Sequence, residues 1–150
     1  MSIGNKNSAI KRVAAALFLT TALSTVTVNS PASAQYAFTT DQAFDAFFAS
    51  EYNYCDAKMV GLLWNQDVVG GKVTIGQKIL NGIPDDVPFL LNESRAALNK
   101  CEWADTGYSY DDAEQLARAW NIGSVAEAKW TIAMKMTDGY SNLLRQTLGH

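Results

Sequence analysis

Apolar residues recur along this chain at helical spacing, and one stretch of that pattern is written twice. YNYCDAKMVGLLWN, from Tyr52, matches YSYDDAEQLARAWN, from Tyr108, at an offset of 56. After one extra residue in the second loop, VVGGKVTIGQKILNG matches VAEAKWTIAMKMTDG at an offset of 57. Twelve aligned pairs are identical: Tyr52/Tyr108, Tyr54/Tyr110, Asp56/Asp112, Ala57/Ala113, Trp64/Trp120, Asn65/Asn121, Val68/Val125, Lys72/Lys129, Thr74/Thr131, Ile75/Ile132, Lys78/Lys135 and Gly82/Gly139. The pattern predicts an internal duplication, with copies at 52–82 and 108–139.

Each copy reads as two helices. Asn53-x-x-Asp56 and Ser109-x-x-Asp112 place a capping side chain at the N-cap and a carboxylate at N3. Tyr52 and Tyr108, one residue earlier, can staple onto Ala57 and Ala113. The buried stripe is then Ala57, Val60, Gly61 and Trp64 in one copy and Ala113, Leu116, Ala117 and Trp120 in the other. Asn65 and Asn121 suit a left-handed helix end. The second helices are capped by Asp67 and by Ser124-x-x-Glu127, carry Val68, Ile75, Ile79 and Val125, Ile132, Met136 inward, and stop at Gly82 and Gly139. Gly70, Gly71 and Gly76 predict a weaker first copy, at about 1 kcal/mol each relative to Ala.

Three further helices complete the pattern. One begins at Asp41, capped by Thr40 or Asp41, with Phe44, Phe47 and Phe48 plugging the core. A second runs from Pro88 to about Cys101 with Leu91, Leu98 and Cys101 inward, and a short one closes the chain over Ser141–Leu148. The predicted fold is all-α: a compact bundle of about six to seven helices built on two related helical hairpins, with Trp64 and Trp120 in a shared core.

The ends refine this picture. Residues 1–34 read as an export signal: Lys6, Lys11 and Arg12, an apolar run over Val13–Leu23, and Ala32-Ser33-Ala34 before a cut between Ala34 and Gln35. The apolar run is short of the roughly 20 residues a spanning helix needs. What remains, 35–150, is one domain destined for the periplasm or the outside. Losing those three cations takes the net charge from −3 to −6, which argues against a nucleic-acid partner. Cys55 and Cys101 are the only cysteines, and an oxidising compartment predicts a disulfide between them. The rival reading of Cys55 as a reactive thiol lacks a Cys-x-x-Cys motif or a His.

Candidate chemistry is sparse. The single His is His150 at the terminus, so no zinc pair, Cys–His dyad or Ser-His-Asp set can be assembled, and no phosphate loop or calcium loop is present. No cofactor, metal site or catalytic residue is predicted. Lys72 and Lys129 fall within the apolar stripe, where each snorkels or pairs with Asp56 or Asp112; Lys78 and Lys135 fall on the solvated side. An acidic group, Glu102, Asp105, Asp111, Asp112 and Glu114, reads as a helix start and polar connector, its sharper alternative being a weak cation surface. The candidate binding residues are therefore Tyr54, Asp56, Lys72, Tyr110, Asp112 and Lys129. The expected role is non-catalytic binding of a protein partner or small ligand. The alternatives are a small hydrolase or metal-assisted enzyme using the repeated Asp and Lys positions, and a structural envelope component.

Overall fold

Five polar side chains start five helices. Thr39 accepts the Gln42 N–H and opens α1 (Thr40–Phe48); Asn53 accepts the Asp56 N–H and opens α2 (Tyr54–Leu63). Asp67 opens α3 (Val68–Leu80), Ser109 opens α5 (Tyr110–Ala119) and Ser124 opens α6 (Val125–Thr137), each by accepting an N–H three residues on. Each such bond satisfies an amide that has no partner within its helix. α4 (Asp86–Ala96) and α7 (Ser141–Leu148) lack a side-chain cap. The computed structural model describes residues 38–149, and among them there are seven α-helices, one 3-10 turn at Trp103–Asp105 and no strand. The predicted export segment, its predicted cleavage point and His150 lie outside the described residues.

The stretch 52–82 folds as α2 and α3, and 108–139 as α5 and α6. α2 packs on α3, α5 on α6, α1 on α3 and α4 on α2, while α7 lies against α5 and α6. Met59, Val60, Ile75, Val87, Leu116, Ile132 and Leu144 are fully buried and form one core. The reciprocal capping boxes at Asn53/Asp56 and Ser109/Asp112 are both closed. Asn65 and Asn121 take φ of 56° and 52°, and Gly82 and Gly139 take 72° and 86°, as the sequence predicts.

Several expectations are overturned. α1 is capped one residue earlier than predicted, by Thr39. Of its three phenylalanines only Phe47 enters the core; Phe48 is 68% exposed, because 47 and 48 point about 100° apart on a helix. Trp64 and Trp120 do not share a core: each is the C-cap, past the last helical residue, so the inward stripe does not extend to it. Trp64 is exposed, and Trp120 packs half-buried at the margin. α4 stops at Ala96, not Cys101, with Leu98 in the left-handed region (φ 62°) and 86% exposed. Pro88 sits in the first turn of α4, where a missing N–H breaks no helical bond.

Two glycines of α3 are contact points. A Cβ on Gly71 would lie 1.8 Å from the Ala57 carbonyl oxygen, and one on Gly76 would lie 1.9 Å from that of Ala43. Two of the three glycines expected to weaken this stretch, Gly71 and Gly76, are what lets α2 and α1 sit directly on α3.

Cys55 and Cys101 form a disulfide with Cα atoms 5.7 Å apart, tying α2 to the segment after α4. Closing 46 residues of chain this way stabilises by about 4 kcal/mol in the chain-entropy account. The bridge fits an extracellular or periplasmic protein, and no helix among the described residues is long and apolar enough to cross a membrane.

Candidate functional site

The lysines in the apolar stripe do not pair with the repeated aspartates. Lys72 Nζ stands 5.6, 5.0 and 5.3 Å from the ring centres of Phe47, Phe48 and Tyr54. Lys129 Nζ stands 5.2 and 4.7 Å from those of Trp103 and Tyr110. Each ammonium thus rests on the negative faces of aromatic rings. Lys78 and Lys135, expected to be solvated, also have partners: Lys78 bonds Asp86 at 2.6 Å and Lys135 lies over Tyr140.

These contacts reach further back than the sequence match. Phe47 and Trp103 stand at the offset of 56, as do Ser50 and Thr106, although neither pair is identical. Ser50 Oγ donates to the Phe47 carbonyl and accepts the Tyr52 N–H; Thr106 Oγ1 donates to the Trp103 carbonyl and accepts the Tyr108 N–H. A lysine from the second helix then bridges the ring before this turn and the tyrosine after it. Tyr54 and Lys72 are thus brought together in one matched stretch, and Tyr110 and Lys129 in the other.

The acidic group is likewise dispersed. Lys58 Nζ bonds Asp105 at 2.5 Å, Asp112 closes the α5 capping box, and Glu114 faces Arg118 one turn away. Among the described residues no three His, Cys, Asp or Glu side chains are grouped to hold a metal ion.

Asp56 leads to a different place. The residue is only 7% exposed; its carboxylate accepts the Asn53 N–H at 2.9 Å, and it lines a cavity of about 310 Å³. The cavity lies between the start of α2, α4, the end of α6 and the start of α7. Burial holds the Asp56 carboxyl above its usual range, against the Asn53 N–H and the charges of Arg95 and Arg145. Burial also raises the Tyr52 phenol on the same wall, with Glu51 adding to it.

Two arginines define this cavity. Arg95 Nε donates to the Thr137 carbonyl at 2.6 Å and Nη1 to Asn92 Oδ1 at 2.8 Å, and its guanidinium lies across Gly139. That bond places a cation on the C-terminal carbonyls of α6, where the helix dipole favours it. Thr137 in turn accepts the Cys101 N–H at 2.9 Å, so the position of Arg95 is linked to the disulfide. Arg145 Nη2 donates to Asn142 Oδ1. Both arginines are thus oriented by an asparagine one turn earlier on their own helix, and among the described residues neither is in an ion pair. Arg145 also lines a neighbouring cavity of about 290 Å³ with Tyr108 and Asp112, so the two capping boxes flank it on either side.

None of Asn92, Arg95, Asn142 and Arg145 stands in the two matched stretches, and none is a candidate on sequence grounds. The signal was present as Asn-x-x-Arg on each helix that follows a copy, a spacing that places both side chains on one face. Comparison of the chain with protein-family models, with curated proteins and with solved structures finds no match.

Proposed function

We propose that this is an exported, non-catalytic binding protein, built by duplication of a helical pair, whose ligand carries an anionic group seated between Arg95 and Arg145. The observation that carries this reading is the convergence of two guanidiniums from α4 and α7 on one small cavity, each oriented only by neutral acceptors. Neutral partners hold the forks in place and leave both guanidiniums outside any direct ion pair among the described residues, as suits a carboxylate or other oxyanion. A cavity of this size takes a small molecule or a chain end.

Export is supported by the basic start, apolar run and Ala32-Ser33-Ala34 of the first 34 residues, together with the disulfide. Duplication is supported by the matched capping boxes, the matched Ser50 and Thr106 bonds, and the matched lysine–aromatic contacts. The hydrolase alternative needs the repeated lysines beside the repeated aspartates, and the lysines rest on rings instead.

A second reading, association with another protein, is favoured by Trp130, which is 65% exposed beside Trp103 and Lys129. Thermal unfolding in sodium acetate, at ionic strength matched with chloride, separates the two. Stabilisation of the wild type that disappears in Arg95→Gln/Arg145→Gln supports the anion site. Equal shifts in both proteins would leave only the protein-partner reading.

A further inference from the structure

Resting on that reading of the cavity, we propose that its ligand is a small zwitterion, an amino acid or short peptide, with its carboxylate on Arg95 and Arg145 and its ammonium toward Asp56 and the acidic rim. The argument is one of charge. The lining holds two guanidiniums but three carboxylates, of Glu51, Asp56 and Asp138. Inorganic phosphate or a dicarboxylate would gain the arginines and face the acids as well, and like charges brought together in a partly enclosed site repel. A molecule with one charge of each sign satisfies both walls.

The division of the walls supports this assignment. Arg95 is pinned by the Thr137 carbonyl and Asn92, and Arg145 by Asn142, so both cations are oriented before a ligand arrives. Asp56 is anchored by the Asn53 N–H, and Glu51 and Asp138 are exposed at the mouth. None of the three is in a direct ion pair with either arginine among the described residues, although Asp56 lies in the field of both, so each group keeps bonding capacity for a ligand. The volume of about 310 Å³ holds a few residues of peptide and no folded partner. The adjoining cavity, sharing Arg145, gives a longer chain somewhere to extend.

The test is calorimetric titration of the oxidised protein with the dipeptide Ala-Ala, its N-acetyl form, its C-terminal amide, and acetate. The proposal expects Ala-Ala to bind, with at least about tenfold weaker binding when either end is blocked and the same loss in Arg145→Gln, tenfold being about 1.4 kcal/mol. The ligand-side comparison is made on one folded protein, so it stands even if the variant unfolds. N-acetyl-Ala-Ala or acetate binding as tightly as Ala-Ala would overturn the zwitterion and leave the anion site. No heat from any of the four, acetate included, would overturn both.

Discussion

Gly76 of α3 lies directly against the carbonyl of Ala43 in α1, so close that a single added carbon would be 1.9 Å from the oxygen. Gly71 stands the same way to Ala57 in α2. Backbone cannot yield as a flexible side chain does, so Gly76→Ala and Gly71→Ala should each destabilise by about 1–3 kcal/mol or more, despite alanine's better helix propensity. Gly70 is the contrast: its nearest atoms belong to the Gln66 side chain, which can swing away. Gly70→Ala should be neutral or stabilise by up to about 1 kcal/mol. Urea unfolding of the three variants checks this; a gain at Gly71 or Gly76 would contradict the packing described.

Removing the disulfide should act on the whole domain. Cys55→Ser/Cys101→Ser is expected to lose roughly 2–5 kcal/mol in denaturant unfolding. The denatured, unreduced wild type should show no reactive thiol in a thiol assay, and two thiols would refute the bridge.

The lysine–ring contacts should be energetically equivalent in the two copies. A double-mutant cycle of Lys72→Met with Tyr54→Leu, and another of Lys129→Met with Tyr110→Leu, should each give coupling of about 0.5–2 kcal/mol. Zero coupling in either would mean that the geometry carries no interaction there.

Asp56 predicts a pH dependence with a definite sign. Burial raises its folded pKa above the usual aspartate value of 3.8, so the folded state holds the proton more tightly than the unfolded chain. The stability this contributes is full below 3.8 and is lost as pH rises through the folded value. Wild type should therefore lose stability relative to Asp56→Asn over that window, in unfolding measured at successive pH. A relative gain would show that the Asn53 N–H and the two arginines together outweigh burial.

What the sequence could reveal follows from which interactions are local. Capping, left-handed stops and helical periodicity involve residues within a turn of each other, so α2, α3, α5, α6 and α7 were legible, as was a bridge between the only two cysteines. Close backbone approach is not local: Gly71 and Gly76 looked like weak points because their partners, Ala57 and Ala43, are far away in sequence. The wheel misled for Trp64 and Trp120 because the helix ends before them. Lys72 and Lys129 were rightly seen to recur, but their ring partners Phe47 and Trp103 differ in identity and so escaped the repeat. The Arg95–Arg145 cavity joins residues 50 positions apart on helices outside both copies, and only the folded chain brings Asp56 to it.

The central claim is that Arg95 and Arg145 act together on one anionic group. Nitrogen-detected NMR of the arginine side chains during an acetate titration, at constant ionic strength, reads this directly. The account predicts that the Nε–H signals of Arg95 and Arg145 shift along a common saturating curve while those of Arg118 do not move. Small, linear shifts of all three arginines alike would contradict it.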